Sequence, residues 1–166
     1  MLRKQLIPSS DRGAAGGQRK SQPTGAKDIP ALATVLVTSE SGDHPVDNLF
    51  DGRDGPGGSR WIASADGEQA VVLAFDAPQT IHSVGLEAEE PHASRTQELC
   101  LSLSRDGGQT YRDVLRQEFT FSPGGATFER EDWRVPADGV THVRVAIRPD
   151  KGSAPGRATL TSLTVS

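Results

Sequence analysis

The 166-residue sequence contains one cysteine, Cys100, which excludes an internal disulfide and any cysteine-rich zinc site. It lies inside the strand-like run "QELCLSLS", where an inert, half-buried thiol is expected rather than a nucleophile. Aromatic residues are scarce at 5%: one tyrosine, two tryptophans and five phenylalanines leave few candidate stacking surfaces. No apolar run approaches the ~20 residues that span a bilayer as a helix. The N-terminus also lacks the apolar stretch of a secretory signal, so with Met1 as the start a cytoplasmic location is expected.

Catalytic motifs are equally sparse. The four histidines, His44, His82, His92 and His142, show neither H-x-H nor H-E-x-x-H spacing. "GGSRW" has no glycine after the serine at the offset a nucleophile elbow requires. The adjacent carboxylates Glu89 and Glu90 read as solvated loop residues rather than an acid and a base. The chain is therefore expected to be non-catalytic.

What the chain has in quantity is turn residues and unevenly placed charge. Residues 1–30 are Gly/Ser/Gln/Lys/Arg-rich without apolar periodicity and are expected to form a flexible, disordered basic tail. The first 28 residues carry six basic and two acidic side chains, net +4. The rest carries twelve basic and twenty acidic ones, net −8. An acidic body repels phosphate backbones, so nucleic acid is not an expected partner.

From residue 31 to 166 a period-2 apolar pattern dominates. It runs through "LATVLVTS", "QAVVLAFD", "TIHSVGLEAE", "QELCLSLS", "EFTFS", "THVRVAIRP" and "ATLTSLTVS". Leu160 is out of phase with Leu163 and Val165, which predicts a bulge. Turn signals such as "DAPQ", "RDGGQTY", "SPGGA", "PADGV" and "PDKGSAPG" separate the runs, and no segment keeps a helical period over ten residues. The pattern predicts an all-β, antiparallel sandwich of about eight strands. Trp61, after the glycine-rich loop, is expected to plug one end of the core, and Trp133 to lie half-buried on an edge.

"HPVDNLFDGRDGPGGSRW" resembles the opening of discoidin domains, also called coagulation factor 5/8 type C domains. Three further stretches fall in the order of that family: "QAVVLAFDAPQTIHSVGLEA", "RTQELCLSLSRDGGQTYRDV" and "HVRVAIRPDKGSAPGRATLTSLTV". The resemblance implies an eight-stranded, galactose-binding-like jelly roll over residues 31–166. Members of that family bind carbohydrates, phospholipid head groups or proteins. The loops "RDGPGGSR", "EEPHASR" and "PDKGSAPG" carry no apolar spikes, so a membrane surface is not expected as a partner.

Carbohydrate recognition through loops at one end is the first expectation. His44, Arg53, Asp54, Arg60, His92, Arg95 and Lys151 are the candidate ligand-binding residues, with Arg157 also in reach. Arg95 is expected to be an exposed rim residue whose loss leaves stability unchanged. The family also implies calcium as a candidate cofactor, although none is required. Asp51, Asp54 and Ser59 would supply hard oxygen donors, while Ser162 stands where the resemblance expects an acidic ligand. The same loop can instead be held by Asx-turns from Asp51 and Asp54. "HPVDNLF" and "IHSVGLEAEE" also resemble the N-terminal jelly roll of single-strand-break repair scaffolds. That alternative implies an intracellular protein-docking module using Arg130, Arg134, Arg144 and Arg148 as outward arginines.

Overall fold

The protein's structure, a computed structural model, describes residues 1–8 and 25–166. In chain order these residues form β1 (Lys4–Leu6), a one-turn helix α1 (Ile29–Leu32), β2 (Ala33–Val37) and a 3₁₀ turn (Val46–Phe50). Then follow β3 (Trp61–Asp66), β4 (Gln69–Glu89), β5 (Arg95–Ser104), β6 (Arg112–Phe121), β7 (Phe128–Arg148), β8 (Arg157–Leu160) and β9 (Ser162–Val165). The period-2 segments have become strands, because alternation buries one face of each against the next layer.

Two long strands organise the sandwich. β4 and β7 have 21 residues each and pair antiparallel from end to end. Their register breaks between Ala74 and Gln79 and again between Ile81 and Ser83. Pro78 and Pro136 lie in these breaks, where a residue without an N–H can be tolerated. The first half of β4 carries β2 beside it, and the second half of β7 carries β5, followed by β6. The second half of β4 takes β9 as its other neighbour, while β3 and β8 form a separate two-stranded sheet.

The core lies between these layers. Trp61 is 0% exposed and its indole N–H donates to the Ser39 carbonyl at 3.0 Å, as expected of an end plug. Trp133 is half-buried against the core. Leu160, Leu163 and Val165 are all buried, but the phase change between them is not the expected bulge. At Thr161 the chain leaves β3 and joins β4, so β8 and β9 belong to different sheets.

One expectation needs correction. The start of the chain is part of the fold: β1 pairs in parallel with β2, so the described residues form nine strands rather than eight, with one parallel pair in an otherwise antiparallel sandwich. Arg3 bridges to Asp76 at 2.7 Å and Lys4 to Glu40 at 2.8 Å, while Ile7 closes a small second cluster with Leu36, Val72 and Ala74. Three residues are too few to show a period, so composition alone assigned them to the tail. Of the expected tail, residues 9–24 lie outside the described residues. In β5, Ser102 and Ser104, on the side opposite the leucines, are buried as fully as they are. Ser102 donates to Asp113 and Ser104 to Asp106, each at 2.7 Å, under the turn that leads into β6.

Candidate functional site

The loop from Asp51 to Arg60 is built by hydrogen bonds from its own backbone. Asp51 accepts from the Arg53 amide at 2.9 Å with one oxygen and from the Ser59 hydroxyl with the other. Gly58 is required by close approach, since a Cβ there would stand 2.2 Å from the Arg53 carbonyl oxygen. Gly55, at φ +81°, turns its amide toward β4 and donates to Glu87 at 2.8 Å. The Gly57 amide does the same to Glu89 at 3.0 Å. The loop is thereby laid across the end of β4 and fastened to two glutamates.

These contacts bear on calcium. Opposite Ser162 in the register stands Glu87, 4% exposed, so a carboxylate does reach this loop from the neighbouring strand. It is already engaged, however, by the Gly55 amide and by Arg130 at 3.3 Å. Asp51 has both oxygens occupied, and Asp54 points to solvent without contacting either partner. Among the described residues no three His, Cys, Asp or Glu side chains converge as a cation would need. Asp51 and Ser59 are hydrogen-bonded to each other and Asp54 stands apart, so the three expected donors do not converge on one point here.

A cleft of about 170 Å³ opens beside this loop. Arg60 and Ile62 come from its downstream end, Glu89, Glu90, Ala93 and Arg95 from the β4–β5 connection, and Pro155, Gly156 and Arg157 from the loop before β8. The three loops thus meet at one end of the sandwich. Arg60 lies 3.7 Å from Glu89, and Arg95 bridges to Glu90 at 2.9 Å. Arg157 has no hydrogen-bond or ion-pair partner for its side chain among the described residues. The cleft therefore offers guanidinium donors and carboxylate acceptors side by side over the half-buried Ile62, and its lining holds no aromatic ring.

Of the expected ligand-binding residues, Arg60, Arg95 and Arg157 line this cleft, and His44, Arg53, Asp54, His92 and Lys151 do not. Arg95 is not the exposed rim residue expected: its side chain is only 9% exposed, and one nitrogen donates to the carbonyls of Pro149 at 3.1 Å and Arg157 at 2.8 Å. It is a clamp between loops. Lys151 turns away to Glu118 of β6, whose carboxylate holds its ammonium above the usual range. His44 is tied through its backbone to Ser41 and Ile62, and His92 is exposed with its amide on Glu90. Arg53 and Asp54 are exposed on the outer side of their loop. Arg157 lies on the same wall, and Glu89 and Glu90 are the additions; their distance in sequence from Arg60 and Arg157 concealed that they share it.

The four arginines considered for docking lie on the single strand β7 and do not act as one face. Arg130 pairs with Glu87 and Asp132, and Arg144 covers the Tyr111 ring at 4.2 Å from its centre.

No family model and no curated protein matches the sequence. Solved structures do match in fold. A pectin-binding carbohydrate-binding module superposes with a TM-score of 0.60 at 17% identity, over 81% of this chain and 90% of that one. The family 32 carbohydrate-binding module of Clostridium perfringens NanJ, solved with galactose, gives 0.55 at 16% identity over 80% and 92%. A further Clostridium perfringens CBM32 module, solved with GalNAc-β-1,3-galactose, gives 0.56 at 18% over 80% and 94%. The fold is therefore the jelly-roll β-sandwich that these carbohydrate-binding modules share, the architecture the sequence resemblance implied.

Proposed function

We propose that the protein is a non-catalytic carbohydrate-recognition module that takes one sugar unit in the cleft between Arg60, Glu90 and Arg157. The observation that carries this reading is the convergence of three loops on paired guanidinium and carboxylate groups, in a fold whose solved neighbours bind sugars. Vicinal hydroxyls both donate and accept, so a sugar edge can satisfy an arginine and a glutamate together. At about 170 Å³ the cleft is smaller than pockets that enclose drug-sized ligands, which favours a single unit or a chain end. Without an aromatic platform the affinity is expected to be weak, about millimolar.

Binding to a panel of immobilised glycans, followed by calorimetry with the best of them, tests this reading. Arg157→Ala is the informative variant, because that side chain supports no other contact among the described residues. Loss of glycan binding with an unchanged melting temperature is the expected result. Undiminished binding by Arg157→Ala, or no glycan bound at millimolar concentration, refutes it.

A further inference from the structure

A larger cavity, of about 420 Å³, lies where β5 turns into β6 and β7 bends. β5, ten residues long, starts at Arg95 in the cleft already described and ends at Ser104 beside this cavity, so about 30 Å of strand separates the two. Its floor is apolar, made by Leu103, Val135, Pro136 and Ala137, and Val114 stands on its rim 40% exposed. Tyr111 forms part of the wall, oriented by Arg144 over its ring.

The rim is cationic. Arg105, Arg112 and Arg134 all line this cavity, and no side chain of the three has a hydrogen bond or an ion pair among the described residues. Elsewhere Arg3, Arg60, Arg95, Arg116 and Arg130 each have a carboxylate within 4 Å, while Arg53, Arg144, Arg148 and Arg157, which do not line this cavity, have none among the described residues. From residue 29 onward acidic side chains outnumber basic ones by eight, so three neighbouring guanidiniums left without one are a local reversal of sign. Asp113, the one carboxylate in the lining, offsets one of the three charges and is itself held by the Ser102 hydroxyl at 2.7 Å and by Arg116 at 3.2 Å, so the lining keeps a net positive charge. Like charges so placed repel, and an anion between them relieves that repulsion while accepting charge-assisted hydrogen bonds.

We propose that this cavity is a second binding site, for a ring that carries an oxyanion, such as an acidic sugar unit. The guanidiniums of Arg105, Arg112 and Arg134 would hold the carboxylate or sulfate, and the body of the ring would cover Val114 and Pro136. The site is distinct from the cleft at the other end and does not depend on a sugar binding there.

Amide NMR spectra of the isotopically labelled full chain test the assignment, with glucuronate, glucose and inorganic sulfate as separate probes. Glucose differs from glucuronate by the missing carboxylate, and sulfate supplies an anion without a ring. The expected result is that glucuronate shifts resonances of residues 103–114 and 134–137, while glucose leaves them in place and sulfate perturbs them more weakly. Arg112→Gln combined with Arg134→Gln should weaken glucuronate binding at least about tenfold without changing the melting temperature. Added salt should weaken binding in the native chain as well. Glucose or sulfate acting as strongly as glucuronate would overturn the proposal, as would no shift at tens of millimolar ligand. Shifts confined to the Arg60–Arg157 cleft would also overturn it while leaving the proposed function standing.

Discussion

Replacing Arg95 by alanine should destabilise the protein before it affects any ligand. The guanidinium donates to two backbone carbonyls, those of Pro149 and Arg157, and bridges to Glu90 at 2.9 Å. Its side chain is 9% exposed and that of Glu90 16%, so water cannot fully replace the lost contacts. Hydrogen bonds from a charged donor contribute about 1.5–3 kcal/mol each when buried. Three such contacts at a partly hydrated site, discounted for solvent screening, come to about 2–3 kcal/mol in all. For a domain of this size each kcal/mol lowers the melting temperature by about 2–4 °C, so a fall of about 4–12 °C is expected. Thermal unfolding followed by tryptophan fluorescence reads the change, since Trp61 is fully buried. Arg95→Lys should recover only part of it, because an ammonium lacks the planar fork that serves separate acceptors. A melting temperature within a degree of the native value for Arg95→Ala would refute the clamp.

Three further outcomes follow from the same geometry. Gly58→Ala should lower the melting temperature, because its Cβ would meet the Arg53 carbonyl oxygen at 2.2 Å, whereas Gly124→Ala, with nothing within 4 Å, should not. Calcium or a chelator should move the melting temperature by less than about 1 °C, as expected when no cation contributes binding energy to the fold; a rise of several degrees with calcium would show that Glu87 and Asp51 exchange their N–H partners for the ion. Acid should destabilise in two stages. Burial lowers the pKa of His142, so the fold favours the neutral ring and loses stability as pH falls below about 6.5, the ordinary histidine value. The Thr110 hydroxyl and amide and the Ser104 hydroxyl hold Asp106 below the usual carboxylate range, and the Ser102 hydroxyl does the same for Asp113. Their contribution is complete above about pH 4 and is lost as pH falls through and below that value. Melting temperatures from pH 8 to 3 should show both declines, with His142→Gln removing the upper one and Asp106→Asn reducing the lower; a flat profile between pH 7 and 5 would contradict the burial argument for His142.

The strands were legible in the sequence wherever one face is buried, because burial imposes the alternation that is read. Val143, Val145 and Ile147, or Leu99, Leu101 and Leu103, needed no structure to be placed inward. Elements that follow another rule were not. β1 is held by three residues of parallel pairing and by three ion pairs of Arg3 and Lys4, neither of which leaves a period. The phase slip at Leu160 was visible, but a bulge and a crossing between sheets produce the same slip, and only pairing partners separate them. The candidate site was harder for a related reason. Arg95, Lys151 and Arg157 are alike in composition, yet one clamps carbonyls 54 and 62 residues away, one answers Glu118, and one stays unpartnered among the described residues. Ser162 shows the point most directly. Taken alone, it removes a carboxylate from the loop; in the register it faces Glu87, which returns the carboxylate from the neighbouring strand and delivers it to an amide. What a loop residue does is decided across the sheet, by the strand it faces, and a single sequence orders residues only along the chain.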